Sequence, residues 1–297
     1  MKPPLIVLEE RQRAADAPSV PFRHLAALWV QITGTWCNLE CVHCINASGP
    51  DSPWLPPLDG ESVRRAIREA EGLGVKEIYF TGGEPFLHRE ILPLLEEALA
   101  VAPTTVLTNG TAITPPVADA LAALAAAASY SLEIRVSLDD VDREANDRVR
   151  GRGAWAKAVQ AIQRLHGRGL LPIVTATEIG PAGGGVGLYG QFRDFLRDLG
   201  VEKPRVKIMP VFALGRLAAD TGERLDEDSL AGFDTSVLQC SDTRVVAYGG
   251  VFACPILAGL DGARLSTGSL EASFRPASLY HAACVTCHRT GMTCRNG

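Results

Sequence analysis

The sequence predicts an α/β fold in which six strands alternate with helices, followed by a small C-terminal module rich in cysteine. Two observations lead to this prediction. Strand-like and helix-like segments alternate from about residue 28 to residue 213, and five of the eight cysteines lie after that point. Strands separated by helices of this length pair in parallel through right-handed crossovers. Six such units are compatible with an open six-fold barrel and with a doubly wound sheet.

The predicted elements follow one another in regular order. Asp59 is the expected N-cap of the first helix, and Pro115 and Pro116 open the third helix. The predicted strands are 28–33, 77–80, 104–107, 132–138, 171–177 and 206–211. The predicted helices between them are 58–73, 91–101, 115–127, 154–165 and 189–199. In both candidate folds chemistry gathers at the carboxyl ends of the strands, and the unusual residues of this chain follow those ends.

The end of the alternation predicts a domain boundary near residue 213. We expect 1–27 to form an N-terminal extension packed on the barrel, 28–213 to form the barrel, and 214–297 to form the module. The segment 218–236 looks helical and polar, and the chain after it is Gly-rich with short strands such as 244–248. A module with so little apolar periodicity needs a staple to fold.

Composition and charge exclude several classes of protein. The 297 residues are 46% hydrophobic and 21% charged, which excludes disordered and fibrous chains. The formal net charge of −5 gives no long-range attraction for nucleic acid or for an anionic membrane. No segment has the pattern of a signal peptide or a membrane span. We therefore expect a cytoplasmic protein with no nucleic-acid or membrane partner, whose clustered cysteines bind metal rather than form disulfides.

Cys37, Cys41 and Cys44 form a CxxxCxxC run directly after the first predicted strand. Three thiolates can hold three irons of a cubane cluster and leave the fourth iron without a protein ligand, open to a reagent. A closed structural zinc site needs four ligands, and His43 is too close to Cys44 in the chain to join Cys41 and Cys44 on one tetrahedral ion. Three buried thiols without a metal are the remaining alternative.

This run, followed by Gly82-Gly83-Glu84-Pro85 at the second strand, resembles the radical S-adenosylmethionine (SAM) superfamily. The resemblance extends from about residue 28 to the C-terminus. It implies a partial (β/α)6 TIM-like barrel in which Cys37, Cys41 and Cys44 are the catalytic ligands of a [4Fe-4S] cluster. It also implies that the open iron binds SAM, that electron transfer into the sulfonium releases a 5′-deoxyadenosyl radical, and that this radical abstracts hydrogen from a substrate. A flavodoxin or ferredoxin is the implied reductant.

The resemblance also implies which residues surround SAM. Gly82, Gly83 and Glu84 correspond to the region that binds the methionyl ammonium, although GGEP alone would be an ordinary turn after a strand. His43 stands where the family usually carries an aromatic residue beside adenine, and a solvated loop histidine is the alternative. Thr108 and Asn109, which close the third strand, are included among the expected SAM-binding residues.

Two further SAM contacts are implied after the fourth strand. Ser137 and Asp139 correspond to a serine and an acidic residue that reach the ribose or the methionyl group, and a second aspartate replaces the glycine common in the family. Arg150 is preferred over Arg148 as the partner of the SAM carboxylate, because a guanidinium binds a carboxylate through two hydrogen bonds. Either arginine could instead be a solvated charge at a helix end.

The tail cysteines resemble the auxiliary-cluster modules called SPASM domains and, in a shorter form, twitch domains. Four residues separate Gly249 from Cys254, and Cys284 and Cys287 form a CxxC pair. The resemblance implies a small C-terminal Fe-S cluster domain with one auxiliary [4Fe-4S] cluster, held by Cys240, Cys254, Cys284 and Cys287. Cys294 is expected either to replace Cys287 as a metal ligand or to lie near the substrate. A zinc ribbon is the alternative for this module.

Together these patterns predict a radical SAM oxidoreductase whose auxiliary cluster accepts or relays an electron. A peptide or protein substrate is slightly favoured, as in a maturase of ribosomally made peptides. The first alternative is a dehydrogenase or epimerase of a small molecule such as an aminosugar. The second alternative is an iron–sulfur or zinc scaffold without radical chemistry.

Overall fold

The computed structural model describes residues 17–51, 54–179, 185–219, 222–292, 294 and 295. Six parallel strands, β1 to β6, pair with their neighbours in chain order. These strands are Ala27–Gln31, Glu77–Thr81, Thr104–Thr108, Leu132–Ser137, Ile173–Thr177 and Arg205–Met209. The predicted α/β class and its six strand–helix repeats are confirmed.

Helices cover one face of this sheet. They are α1 to α6 in chain order: Gly60–Gly72, Ile91–Leu99, Pro115–Ala127, Arg143–Arg150, Ala154–His166 and Gly185–Asp198. Asp59 caps α1 as predicted, since its Oδ1 accepts a hydrogen bond from the Ser62 amide at 2.7 Å. Helix α4 was not predicted, and its buried residues Asn146 and Arg150 lie one turn apart on a single face.

Strand alternation separates an outer core from an inner cavity. On β1, Leu28 and Val30 belong to the large core shared with the helices, whereas Trp29 and Gln31 face inward and line a cavity. Every one of the six strands contributes residues to this same cavity. In a doubly wound sheet helices would cover both faces, so the shared inner cavity distinguishes a partial (β/α)6 barrel from that alternative.

The C-terminal module is joined to the barrel by main-chain pairing. Strand β7, Thr243–Ala247, lies parallel beside β1, with Ala27 opposite Thr243, and β8 (Gly250–Phe252) and β9 (Arg264–Ser266) continue the sheet in antiparallel order. Helix α7, Ala282–Thr290, follows. The sheet is therefore continuous across the predicted boundary near residue 213, and the division into domains stays a prediction.

The polar helix predicted over 218–236 is wrong for the described residues of that range. The chain forms short 3-10 turns there, at Asp228–Leu230 and Thr235–Val237. Asp226 accepts a hydrogen bond from the Ser229 amide at 2.8 Å, and Asp234 accepts one from the Ser236 amide at 2.9 Å. These side-chain bonds give the backbone a local alternative to a helix.

The described part of the N-terminal extension packs on the C-terminal module. Ser19–Val20 pairs antiparallel with Ala277–Ser278, and the Leu279 amide donates to the Pro18 carbonyl at 2.8 Å. The first sixteen residues of the predicted extension lie outside the described residues. None of the described helices has the length and apolar character needed to cross a membrane.

Candidate active site

A cavity of about 250 Å³ lies inside the barrel and opens at the carboxyl ends of the strands. Most of the residues expected to bind the cluster and SAM line it together. They are Cys37, Cys41, His43, Cys44, Gly82, Gly83, Thr108, Asn109, Ser137 and Arg150. Glu84 and Asp139, also expected to contact SAM, lie behind this lining. Because the carboxyl ends of the strands meet at one end of the barrel, residues from four separate loops come together around this cavity.

N–H donors meet all three thiols of the cysteine loop. The Leu39 amide donates to Cys37 Sγ at 3.4 Å, and the Ser48 amide donates to Cys44 Sγ at 3.3 Å. Arg150 Nη1 lies 4.0 Å from Cys41 Sγ. Such donors stabilise negative charge on sulfur, which is the form in which cysteine binds iron.

Burial opposes ionisation of two of these thiols. It raises the pKa of Cys37 to about 12, against the opposing effect of the Leu39 amide, and it also raises the pKa of Cys41. A metal that binds thiolates must therefore displace protons here. In the described ranges, no three His, Cys, Asp or Glu side chains lie close enough together to hold a single metal ion. Three soft donors around a cavity, two of them buried and Cys44 half-buried, suit an iron–sulfur cluster.

Gly82 and Gly83 allow the second strand's loop to lie against the cysteine loop. A Cβ atom on Gly83 would lie 2.0 Å from the Trp36 carbonyl oxygen, and one on Gly82 would lie 2.3 Å from Thr33 Oγ1. Gly82 also has a φ of +144°, which side chains disfavour. Any larger residue at either position would push the two loops apart.

Glu84 lies behind the cavity lining and links the loop after the second strand to the loop after the third. Its carboxylate accepts hydrogen bonds from Thr108 Oγ1 at 2.6 Å, from the Asn109 amide at 2.7 Å and from the Phe86 amide at 3.1 Å. Burial raises the pKa of Glu84 to about 7, although these donors act in the opposite direction. Glu84 holds Asn109 where its Nδ2 lies 3.6 Å from Cys37 Sγ.

Asp139 binds two other predicted site residues. Its Oδ2 lies 2.6 Å from His43 Nε2 and 2.7 Å from Arg150 Nε, and its Oδ1 accepts a hydrogen bond from the Thr177 amide at 2.9 Å. Burial opposes ionisation, but the Arg150 charge and the bond from His43 outweigh it and hold the pKa of Asp139 well below its usual range. Asp139 therefore fixes His43 and Arg150 at the cavity wall.

The four favoured tail cysteines line a second, smaller cavity of about 30 Å³. Cys284 and Cys287 lie one turn apart on α7, Cys240 lies in a 3-10 turn, and Cys254 lies two residues after β8. Burial raises the pKa of Cys240 and of Cys254 to about 12. As in the first site, burial opposes ionisation of the thiols, and four cysteines are present here in place of three.

Cys294 lines the barrel cavity and not the smaller one, although it lies close enough to Cys254 and Cys287 to act on both electrostatically. Gln239 holds it from both sides: the amide of Cys294 donates to Gln239 Oε1 at 3.1 Å, and Gln239 Nε2 donates to Cys294 Sγ at 3.4 Å. Of the two expectations for Cys294, this position favours a place near the substrate. Its inclusion among the metal ligands gains no support from the lining of the smaller cavity.

Sequence reasoning missed several cavity residues on the strands themselves. They are Trp29, Gln31, Thr81, Leu107, Arg135, Thr175, Thr177 and Met209. Strand alternation could have found one of them, because Arg135 lies two residues before Ser137 and so points to the same face of β4. A charged residue on the inward face of a barrel strand is unusual enough to be singled out.

Comparison with known sequences identifies the family and two groups of relatives. Residues 32–184, about half of the chain, match the family model of the radical SAM superfamily. The chain is 34% identical over 164 residues to the mycofactocin maturase MftC of Mycolicibacterium smegmatis, a match that covers 55% of this chain and 38% of that protein. It is 32% identical over 190 residues to the GTP 3′,8-cyclase of Synechococcus sp. strain WH7803, with 60% and 51% covered. The chain thus spans from about two fifths to one half of the length of these relatives.

Solved structures show the same fold at low sequence identity. Streptococcus suis SuiB bound to precursor peptide SuiA matches with a TM-score of 0.66 and 15% identity, over 92% of this chain and 68% of that chain. The polyhistidine-tagged anSMEcpe with bound AdoMet matches with a TM-score of 0.60 and 17% identity, over 85% of this chain and 77% of that chain. Together with the match over 32–184, the cysteine-lined cavity and the partial barrel lead to one conclusion. The chain belongs to the radical SAM superfamily.

Proposed function

We propose that this chain is a radical SAM oxidoreductase that modifies a peptide, as a maturase of ribosomally made peptides. One observation carries the enzymatic part of this proposal. The three cysteines of the loop share a cavity with glycine, serine, asparagine and arginine residues from the ends of separate strands. A scaffold that only stored a metal would not need an open cavity of about 250 Å³ beside it.

Cys37, Cys41 and Cys44 would hold the family's [4Fe-4S] cluster. When bound, the cluster supplies one electron that cleaves SAM to methionine and a 5′-deoxyadenosyl radical, which takes a hydrogen atom from the substrate. The protein's part is to bind and to exclude water. The N–H groups that meet the three sulfurs favour the thiolates, and the barrel interior keeps stray hydrogen donors from a reactive carbon.

SAM would be held by residues that are already fixed in place. Arg150 is oriented by Asp139 and can pair with the SAM carboxylate, and the backbone at Gly82 and Gly83 leaves room for a ligand to approach closely. His43, tied to the same Asp139 carboxylate, can lie against the adenine. Glu84 acts through Asn109 and Thr108 in this proposal and holds the loop rather than contacting SAM.

An auxiliary [4Fe-4S] cluster at Cys240, Cys254, Cys284 and Cys287 is the second part of the proposal. Four thiols around one small cavity provide a complete ligand set, so such a cluster has no open iron. A closed cluster suits electron transfer, which is why we classify the reaction as an oxidation. A flavodoxin or ferredoxin is the proposed source of the electron for SAM cleavage, and a cytoplasmic location is proposed with it.

The peptide substrate is supported by the relatives. A protein named as a maturase is 34% identical to this chain over 164 residues, and a structure with the same fold contains a precursor peptide. Relatives named as GTP cyclases share a similar part of the chain, so the barrel alone leaves a small-molecule substrate as the competing assignment. Only the product can decide between them.

Anaerobic reconstitution with iron and sulfide tests the enzymatic proposal. Two cubanes predict about eight irons per chain and release of 5′-deoxyadenosine that depends on a reductant. Zinc in place of iron, or no cleavage of SAM, would contradict the proposal. The substrate class is tested by incubating the reconstituted enzyme with any short precursor peptide that a neighbouring gene encodes and examining the product by mass spectrometry. An unchanged peptide, with a modified aminosugar in a parallel reaction, would transfer the assignment to small molecules.

A further inference from the structure

Arg135 is a cation buried inside the barrel. It lies on the inward face of β4, is 2% exposed, and lines the active-site cavity. Its Nε donates to Thr175 Oγ1 at 3.2 Å and its Nη1 donates to the Cys294 carbonyl at 2.5 Å. Both partners are neutral. The acidic residue on the same strand face, Glu133, is paired with Arg205 at 2.5 Å instead.

No carboxylate in the described part of the chain forms an ion pair with Arg135. An arginine keeps its charge under all ordinary conditions, and a buried charge without a counter-ion destabilises the fold. Neutral acceptors satisfy two of its donors, and the Glu133 carboxylate acts on the charge through space without forming an ion pair with it. The natural completion of such a site is an anion that enters through the cavity.

A second cation lies beside Arg135 and strengthens this argument. Lys207 on β6 is half-buried, and its Nζ donates to the Arg295 carbonyl. Burial, together with the charge of Arg135, lowers the pKa of Lys207 to about 8. Two cations therefore face carbonyl groups of the segment 294–295.

We propose that Arg135, supported by Lys207, anchors a carboxylate of the substrate at the floor of the cavity. The inference rests on the proposed function, because it names the group by which this cavity takes its substrate. Arg135 lies two residues before Ser137 on β4, about 7 Å deeper along the strand. The proposed SAM-binding residues lie at the rim of the cavity. A substrate whose carboxylate is held by Arg135 therefore places near them a carbon within a few bonds of that carboxylate. The carboxylate is either the C-terminus of a peptide or an acidic side chain.

Cys294 provides a reporter for this site. Its thiol lines the same cavity, and its carbonyl accepts the Arg135 hydrogen bond. Iodoacetate and iodoacetamide alkylate thiolates by the same displacement of iodide but differ in charge. The ratio of their rates at Cys294, measured by peptide mapping of the reconstituted holoprotein, therefore reports attraction for an anion and is independent of the thiol pKa.

Arg135→Gln should lower this ratio about tenfold, because it removes one unit charge a few ångströms from the reagent. Arg135→Lys should keep the ratio within about twofold, since the charge remains. Arg205→Gln is the matched control: it removes a positive charge from the neighbourhood of β4 outside the cavity lining, and it should leave the ratio unchanged. An equal ratio in the wild type and Arg135→Gln, or no alkylation of Cys294 by either reagent, would overturn the proposal.

Protection of Cys294 from iodoacetamide identifies the source of the carboxylate. N-acetyl-glycylglycine offers a C-terminal carboxylate, N-acetyl-aspartyl amide offers a side-chain carboxylate, and N-acetylglycinamide is neutral. If one of the acids protects Cys294 in the wild type but not in Arg135→Gln, the proposed site is supported and that acid identifies the source of the carboxylate. If neither acid protects Cys294, the proposal is overturned. Iron content and 5′-deoxyadenosine release, measured on the same samples, show separately whether the proposed radical SAM function has failed.

Discussion

The two cysteine-lined cavities of this protein differ in what surrounds the same chemical group. The barrel cavity has about 250 Å³ and carries polar side chains in its walls, with Asn109, Ser137 and Arg150 beside three cysteines of one loop. The tail cavity has about 30 Å³, and its four cysteines come from distant parts of the module and lie among mostly apolar residues such as Leu257 and Leu279. Space and hydrogen-bond donors suit binding of a reagent, whereas a small apolar enclosure suits a cluster that only exchanges electrons.

Removing one cysteine of the barrel loop is the change with the largest expected effect. In Cys37→Ala, reductive cleavage of SAM should disappear, while about four irons per chain remain in the tail. Iron analysis and chromatography of 5′-deoxyadenosine measure both quantities. The matched control is Cys294→Ala, which should retain about eight irons per chain, because Cys294 does not line the tail cavity. Loss of one cubane in this control would instead make Cys294 an auxiliary ligand.

The paired variant Cys284→Ala with Cys287→Ala tests the other side of the comparison. We expect the iron content to fall by about one cubane while SAM cleavage without substrate survives. Formation of the oxidised product should fall with the auxiliary cluster, since the substrate electron then has no acceptor. If SAM cleavage is lost as well, the two cavities do not hold independent clusters.

Asp139→Asn tests whether SAM binding depends on side chains that Asp139 already holds in position. The substitution removes the charge that holds Arg150 and His43, so the KM for SAM should rise by about tenfold or more. The control is Asp119→Asn, which breaks an exposed pair with Arg168 and should leave KM unchanged. An unchanged KM in Asp139→Asn would show that Arg150 needs no anchor.

Glu84 gives the smallest expected effect, which is a pH dependence of stability. A carboxyl group whose pKa rises from about 4.5 to about 7 on folding favours the folded state in its protonated form. The free energy of unfolding of the metal-free protein should therefore fall as the pH rises from about 5 to 7, by up to about 3 kcal/mol. Urea unfolding at several pH values measures this slope, and Glu84→Gln should flatten it. Equal slopes in both proteins would place the pKa of Glu84 near its ordinary value.

Local sequence patterns predicted the elements and most of the cavity lining. Six strand–helix repeats and the strand-end rule were enough to bring Cys37, Gly83, Ser137 and Arg150 to one cavity. These predictions succeed because each depends on periodicity or spacing within a short stretch of chain. Asp59 as the cap of α1 is another case, since its partner is only three residues away.

The missed features depend on contacts between distant residues. Asp139 meets His43 across 96 positions of sequence, and Arg135 meets Cys294 across 159. No local pattern shows that Asp139 orients two neighbours or that Arg135 forms no ion pair with a carboxylate of the described residues. The polar helix over 218–236 failed for a different reason: aspartate and serine side chains compete there for backbone groups, which periodicity does not detect.

The pairing of β7 with β1 has a consequence for how the chain folds. Ala27 lies opposite Thr243, so the first barrel strand gains its second neighbour only when most of the polypeptide has been made. Until then one edge of β1 offers unpaired N–H and C=O groups to other chains. Such long-range pairing slows folding. Newly synthesised protein is therefore most vulnerable to aggregation before its last quarter emerges, and production at low temperature with slow translation should raise the yield of folded protein.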